Sequence, residues 1–239
     1  MSVDVEVAAS LARSELSGLP HELLDRVLGR SVDFHVRAGG ALVTTGRTDV
    51  FCYLLVSGLI RSYLISSAGR QVTLRYSRPG SLLGVATLFA SGTAPAGLQA
   101  VTDARVLSLN PETLRALARS DVRVSHALLT ELSDRAITYM NAIGDAVFSS
   151  LHDRVLSHLC DIATFGQRDS ELSARISQQE LADQVGTVRE VVVRILRELR
   201  SAGLVRTERD RIVLLDSARE HAQGSGTDRR IGLDWNRSS

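Results

Sequence analysis

Arg189, Glu190 and Arg194 fall within six consecutive positions and are residue types that read base edges in duplex DNA. An Arg fork offers two parallel donors matched to O6 and N7 of guanine, and a Glu carboxylate accepts from N4 of cytosine. Around them, Ser177, Gln179, Arg197 and Arg209 are expected to hold phosphate oxygens, contacts that set register without reading sequence. Residues 186–211 contain seven Arg against four acidic side chains, a local excess of +3 in a chain whose net charge is +1. That is a modest electrostatic footprint for a polyanion. Plainer roles fit some of the same side chains: Glu190 can cap its own helix, and Arg197 and Arg200 can lie on a solvated face.

Two short helices must position these groups. Ser177-Gln178-Gln179-Glu180 has the spacing of a capping box, and Thr187-Val188-Arg189-Glu190 repeats it ten residues later, with Gly186 just before the second cap. The interval leaves space for one short helix and a tight turn, which is helix-turn-helix geometry. Leu181, Val185, Val192, Ile195, Leu196 and Leu199 are apolar at helical spacing, and Ala182 is small where the two helices would cross. After Gly203, the runs Leu204 to Thr207 and Arg211 to Leu215 flank Glu208-Arg209-Asp210 and predict a wing hairpin.

Upstream, apolar positions between about 5 and 30 suggest short helices punctuated by Pro20. From Phe34 to Leu109, short β-rich runs (50–56, 59–65, 71–76, 98–101 and 105–109) are cut by Gly39-Gly40, Ser57-Gly58, 66–69 and Pro79-Gly80. They predict a small antiparallel roll or barrel, and Leu59, Arg61, Tyr63 against Ile60, Ser62, Leu64 predict a strand with unlike faces. Asn110-Pro111-Glu112 is a helix start. In the long helix beyond it, Val122, Ser125, Leu129, Leu132, Ala136, Tyr139, Ile143 and Ala146 alternate spacings of three and four. Such a stripe suits a seam with a second copy, and equally a helix packed on its own roll. A further helix is expected from Leu151 to Phe165, ending before Gly166.

Composition narrows the alternatives. A chain of 239 residues can hold two domains with separate cores. There is no early apolar stretch behind basic residues and no run near about eighteen apolar residues, so a cytoplasmic protein without a membrane partner is expected. Cys52 and Cys160 are the only cysteines, which disfavours a zinc site, a disulfide framework and an iron–sulfur cluster. His21, His35, His126, His152, His158 and His221 show no metal-ligand spacing, so no metal ligand is assigned. No nucleophile–base pair, P-loop or dinucleotide fingerprint is present, and no catalytic residue is assigned.

The segment ISQQELADQVGTVREVVVRILRELRSAGLV, Ile176 to Val205, closely resembles the helix-turn-helix of the Crp/Fnr family, the cyclic-AMP receptor and fumarate/nitrate reductase regulators. Arg189, Glu190 and Arg194 match the base-reading residues of the cyclic-AMP branch, which implies a palindrome with TGTGA-like half-sites. PGSLLGVATLF, Pro79 to Phe89, resembles the glycine-containing signature of the family's sensor domain, and the stripe at 122–146 falls where its dimerisation helix should lie.

One departure matters. Where the family's nucleotide pocket has Glu after the signature Gly84 and then an Arg-Ser pair, this chain has Val85, Pro95 and Ala96. Its adenine contacts on the long helix are replaced by Tyr139 and Met140. A buried phosphate diester without its Arg loses a charge-assisted, often bidentate bond, so cyclic AMP is disfavoured as effector. Some relatives bind haem, which leaves the effector open, as does a pocket that takes no ligand.

The resemblance implies an α+β chain: N-terminal helices and a cyclic-nucleotide-binding-like β-roll (1–118), a dimerisation helix (119–146), a winged helix-turn-helix (147–221) and a flexible tail (222–239). Val122, Leu129, Leu132, Ala136, Tyr139 and Ile143 are the expected dimer contacts, with duplex DNA, a second copy and RNA polymerase as partners. A cupin-like metal-dependent enzyme is the competing class, but His35 is the only His between 34 and 109.

Overall fold

In the computed structural model, residues 4–218 are described apart from 47, 68, 70, 91, 93, 95, 149, 166–170, 209 and 210. Two compact units divide between residues 143 and 144, inside the long helix. The expected tail at 222–239 lies outside the described residues.

The first unit opens with α1 (Val5–Leu11), whose cap Asp4 accepts from the Glu6 N–H, and α2 (His21–Leu28), entered through Pro20. The strands β1 (Val32–Val36), β2 (Ala41–Val43), β3 (Tyr53–Ser57), β4 (Ile60–Ile65), β5 (Gln71–Ser77), β6 (Leu82–Leu83), β7 (Gly97–Ala100) and β8 (Ala104–Ser108) follow. They form two antiparallel four-stranded sheets, ordered β1-β8-β3-β6 and β2-β7-β4-β5. The five strand runs legible in the sequence are all present, and β1, β2 and β6 join them.

Period two explains why β3 is apolar throughout. Tyr53 and Leu55 face a core shared with Val43, Ile60, Leu83, Leu98 and Val106, while Leu54 and Val56 face a second core with Leu16, Leu23, Leu109 and Leu117. The two faces of β4 differ in chemistry as expected, yet both are covered as far as Tyr63. Arg61 is buried because its guanidinium donates to Gln99, Thr73 and Gln71 and lies 4.7 Å over the Tyr63 ring.

α3 (Pro111–Ser120) starts where Asn110 accepts the Thr113 N–H at 2.8 Å. α4 (Val122–Phe148) follows, and its buried positions Val124, Ala127, Leu128, Glu131 and Arg135 lie along one face.

An ionic cluster ties α1 to the roll: Arg105 reaches Asp33 at 2.6 Å and Glu6 at 3.0 Å and also pairs with Asp4. Hydrogen bonds from Arg105 hold the Asp33 and Asp4 carboxyls below their ordinary value of 3.8. Their contribution is therefore complete above that value and lost as pH falls through the lowered ones. Relative to intrinsic exchange rates, the protection of α1 amides is expected to fall ahead of the roll's as pH drops below about 4; equal protection throughout would contradict this.

In the second unit, α5 (Leu151–Ile162) has a reciprocal capping box between Ser150 and Asp153. It ends three residues earlier than its apolar pattern suggested. Ala163 turns extended, and β9 (Thr164–Phe165) pairs with β10 (Leu172–Ala174), so sheet hydrogen bonds replace a last helical turn. Gly166, the expected terminator, lies outside the described residues. Then come α6 (Gln178–Val185), α7 (Arg189–Ser201), β11 (Val205–Thr207) and β12 (Ile212–Leu214), with the small sheet ordered β11-β12-β10-β9.

Candidate nucleic-acid interface

Ser177 Oγ accepts the Glu180 N–H at 3.1 Å and Glu180 Oε2 accepts the Ser177 N–H at 2.8 Å, so the first capping box forms as expected. Gly186 closes α6 at φ 75°, a conformation costly for other residues, and the Thr187 N–H bonds back to the Ala182 carbonyl at 2.9 Å. The second capping box does not form. Thr187 is engaged in ending α6, helical geometry resumes only at Arg189, and the cap is Val188, which makes no side-chain bond. Glu190 is thus not a capping partner of Thr187, and its side chain is exposed in the first turn of α7.

Val192, Ile195, Leu196 and Leu199 are buried along one face of α7, and Leu181 and Ala182 of α6 are fully buried. The opposite face carries Arg189, Glu190, Arg194 and Arg197, all exposed. Arg194 Nε lies 4.0 Å from Glu198 Oε1, with the two side chains 68% and 56% exposed. A pair so exposed exerts little hold. Ser177 and Gln179 are exposed at the entrance of α6, where Gln179 donates to Asp183 at 2.9 Å. A cleft of about 610 Å³ brings Ser177, Gln179, Arg189, Thr207 and Arg211 onto one wall system. Arg209 lies outside the described residues.

The wing is electrostatically quieter than its composition. Arg206 Nη2 sits 2.8 Å from Glu171 and 3.0 Å from Glu208, and Arg211 Nε donates to Glu208 at 2.6 Å. Arg211 and then Arg206 hold the Glu208 carboxyl below its ordinary value. Both described arginines of the wing, Arg206 and Arg211, are therefore engaged by carboxylates. Glu171 escaped the charge count because it precedes β10, 35 positions before Arg206.

In the roll, Gly84 adopts φ 87°, and a Cβ there would stand 2.4 Å from the Phe51 ring. Thr87 Oγ1 lies 2.8 Å from the carbonyl oxygens of both Phe51 and Gly84, pinning the turn. Gly84→Ala is expected to lower stability by about 1–3 kcal/mol through backbone strain, before any clash is counted. An unchanged urea midpoint would contradict it. Val85, next to Gly84, is fully buried in the core that also holds Leu54, Leu107, Leu109 and Val124. Ala96 and Tyr139 are half-buried, Met140 is exposed, and Pro95 lies outside the described residues.

The α4 stripe divides. Val122, Leu129 and Ile143 are 80%, 62% and 64% exposed, and Ala136 in the same seven-residue row is exposed too. Leu132 and Tyr139 are half-buried, Leu132 against the core of its own unit. Ile137 and Met140, absent from the expected stripe, add exposed apolar surface beside it.

Cys52 is buried, which pushes its thiol up to about 12, so the reactive thiolate is scarce at neutral pH. The His35 side chain is 77% exposed, and among the described residues no group of three His, Cys, Asp or Glu is placed to hold a metal. Among them, too, no helix is long and apolar enough to cross a membrane.

A β-roll, a long helix and a winged helix-turn-helix with its arginine face exposed define a class, the transcription regulators that carry a roll ahead of their DNA-binding unit. Residues 33–121 match the family model of the cyclic nucleotide-binding domain, and residues 153–219 that of the Crp-like helix-turn-helix domain. The transcriptional regulator LdrP of Thermus thermophilus is 30% identical over 188 residues, 72% of this chain and 87% of that protein. The CRP-like cAMP-activated global transcriptional regulator of Mycobacterium tuberculosis is 26% identical over 185 residues, 76% of this chain and 83% of that protein. A transcriptional regulator of the crp/fnr family from Eubacterium rectale has the same fold, with a TM-score of 0.71 at 24% identity over 87% of this chain and 96% of that one. The chain belongs to the Crp/Fnr family and is a DNA-binding transcription regulator.

Proposed function

We propose that two copies of this chain pair along the exposed row Val122, Leu129, Ala136 and Ile143 and read a palindrome with TGTGA-like half-sites. The carrying observation is the polarity of α7: Arg189, Glu190 and Arg194 project to solvent while Val192, Ile195 and Leu196 are packed behind them. Arg189 and Arg194 then address guanine, Glu190 addresses cytosine, and Ser177, Gln179, Arg197 and Arg209 hold phosphates. Two-fold symmetry places the half-sites about one helical turn, roughly 34 Å, apart. The effector, where one is used, is something other than cyclic AMP, because Val85 occupies core at the carboxylate's position. The regulator works in the cytoplasm and acts on RNA polymerase at the promoter, without catalysis of its own.

Selection from random duplex DNA tests this reading. A two-fold-symmetric motif with TGTGA-like arms is expected; enrichment of no palindrome would remove it. Calorimetry with cyclic AMP should show no saturable heat, and tight binding would overturn the effector assignment.

A further inference from the structure

Arg206, Arg211, Glu171 and Glu208 close into a ring of alternating charge. Arg206 Nη2 donates to both oxygens of Glu171, at 2.8 and 3.0 Å, and to Glu208 Oε1 at 3.0 Å, and its Nε reaches that same Glu208 oxygen at 3.2 Å. Arg211 completes the ring, donating from Nε to Glu208 Oε2 at 2.6 Å and from Nη2 to Glu171 Oε2 at 3.5 Å. Each guanidinium meets both carboxylates, and the four charges sum to zero.

Backbone geometry sets the ring up. The Glu208 N–H bonds to the Arg211 carbonyl at 2.8 Å, closing the hairpin and bringing these two residues together. Glu171 enters just before β10, which lies on the far side of β12 from β11. The ring therefore spans three strands of the small sheet. Its side chains are 21–50% exposed, and each is braced by two partners, unlike the lone exposed pair of Arg194 and Glu198. Glu171 and then Glu208 hold the Arg206 guanidinium above its ordinary value, so its charge is tied to theirs. Glu208 and Arg211 also line the cleft that holds Ser177, Gln179 and Arg189, the side on which a DNA backbone would run.

Salt-dependent affinity for DNA comes from counterions released as positive charge neutralises phosphates. A guanidinium already at hydrogen-bonding distance from two carboxylates brings little net charge to a phosphate, even if it turns toward one, because the carboxylates come with it and repel the same phosphate. We infer that Glu171 and Glu208 are counter-charges that withhold Arg206 and Arg211 from the DNA backbone. They keep sequence-independent affinity, and its dependence on salt, below what the wing's arginines could supply, and leave a larger share of binding to the base-reading face of α7. The inference rests on DNA binding by this unit and on neither the half-site motif nor pairing along α4.

The test measures the affinity of the full chain for random-sequence duplex DNA across about 50–200 mM sodium chloride. Glu171→Gln combined with Glu208→Gln should steepen the slope of log K against log salt by about 0.9 for each arginine released, and tighten binding about fivefold to tenfold for each at about 0.1 M salt. Arg206→Gln alone should leave the wild-type slope nearly unchanged, yet cancel about half of the gain when added to the double variant. Asp216→Asn, which removes an exposed carboxylate of the same unit outside the ring, should bind as wild type does. An unchanged slope in the double variant, an equal gain in Asp216→Asn, or a loss in Arg206→Gln alone as large as one phosphate contact would each overturn the inference. Should the double variant fail to fold, Glu171→Gln alone and Arg206→Gln against wild type still decide it. Sequence selection judges the half-site reading separately, since a missing palindrome leaves the response to random DNA as it is.

Discussion

Arg194→Ala should abolish sequence preference at one base pair of each half-site while leaving the fold intact. The side chain is 68% exposed, and its nearest carboxylate, on Glu198, is 4.0 Å away and itself exposed, so truncation should change stability by no more than about 0.5 kcal/mol. On DNA, each bidentate Arg–guanine contact carries about 1–3 kcal/mol of discrimination. Two-fold symmetry removes the contact twice, so specific sites are expected to fall toward the non-specific background. Binding to random DNA should weaken much less, because counterion release depends on total charge rather than on which base is read. Genome-wide mapping of bound sites for wild type and variant makes the comparison. An unchanged motif would show that α7 meets DNA through other side chains.

Leu129→Asp is expected to separate the proposed dimer into folded monomers. In the single chain Leu129 is 62% exposed, so a carboxylate there meets water and the monomer should keep its melting behaviour. At a two-fold seam the same change deletes two leucines, each worth about 1.5–3 kcal/mol when buried, and brings two carboxylates together. Dimer affinity should therefore fall by about two orders of magnitude or more, and palindrome binding should fall with it. Leu128→Asp is the contrast: Leu128 is 2% exposed in the core of its own unit, and this variant should unfold instead. Sedimentation velocity distinguishes the outcomes. A Leu129→Asp chain that still sediments as wild type would place the interface elsewhere.

These two neighbours also show what linear patterning cannot resolve. Alternating spacings of three and four mark one side of a helix, but that side is wide enough to meet two surfaces. Leu132 and Tyr139 turn partly inward, while Val122, Leu129, Ala136 and Ile143 remain uncovered. Similarly, Thr187 has the residue type and spacing of a cap, yet Gly186 and the Ala182 carbonyl engage its backbone first. The helix α5 fails to reach Phe165 because β10 competes for the same backbone donors and acceptors. In each case a local preference worth about 1 kcal/mol yields to a hydrogen bond or burial made with another part of the chain.

Sequence alone determined the order of elements, the helix-turn-helix and the side of α7 that carries Arg189, Glu190 and Arg194, because period, caps and charge are properties of residues within a turn or two of one another. Only the tertiary structure decided that Glu171 and Glu208 engage the wing's Arg206 and Arg211, that Val85 is core, and that Arg105 meets Asp33 across 72 positions of chain. Electrostatic pairing and burial depend on distance through space, and folding sets that distance without regard to separation along the chain.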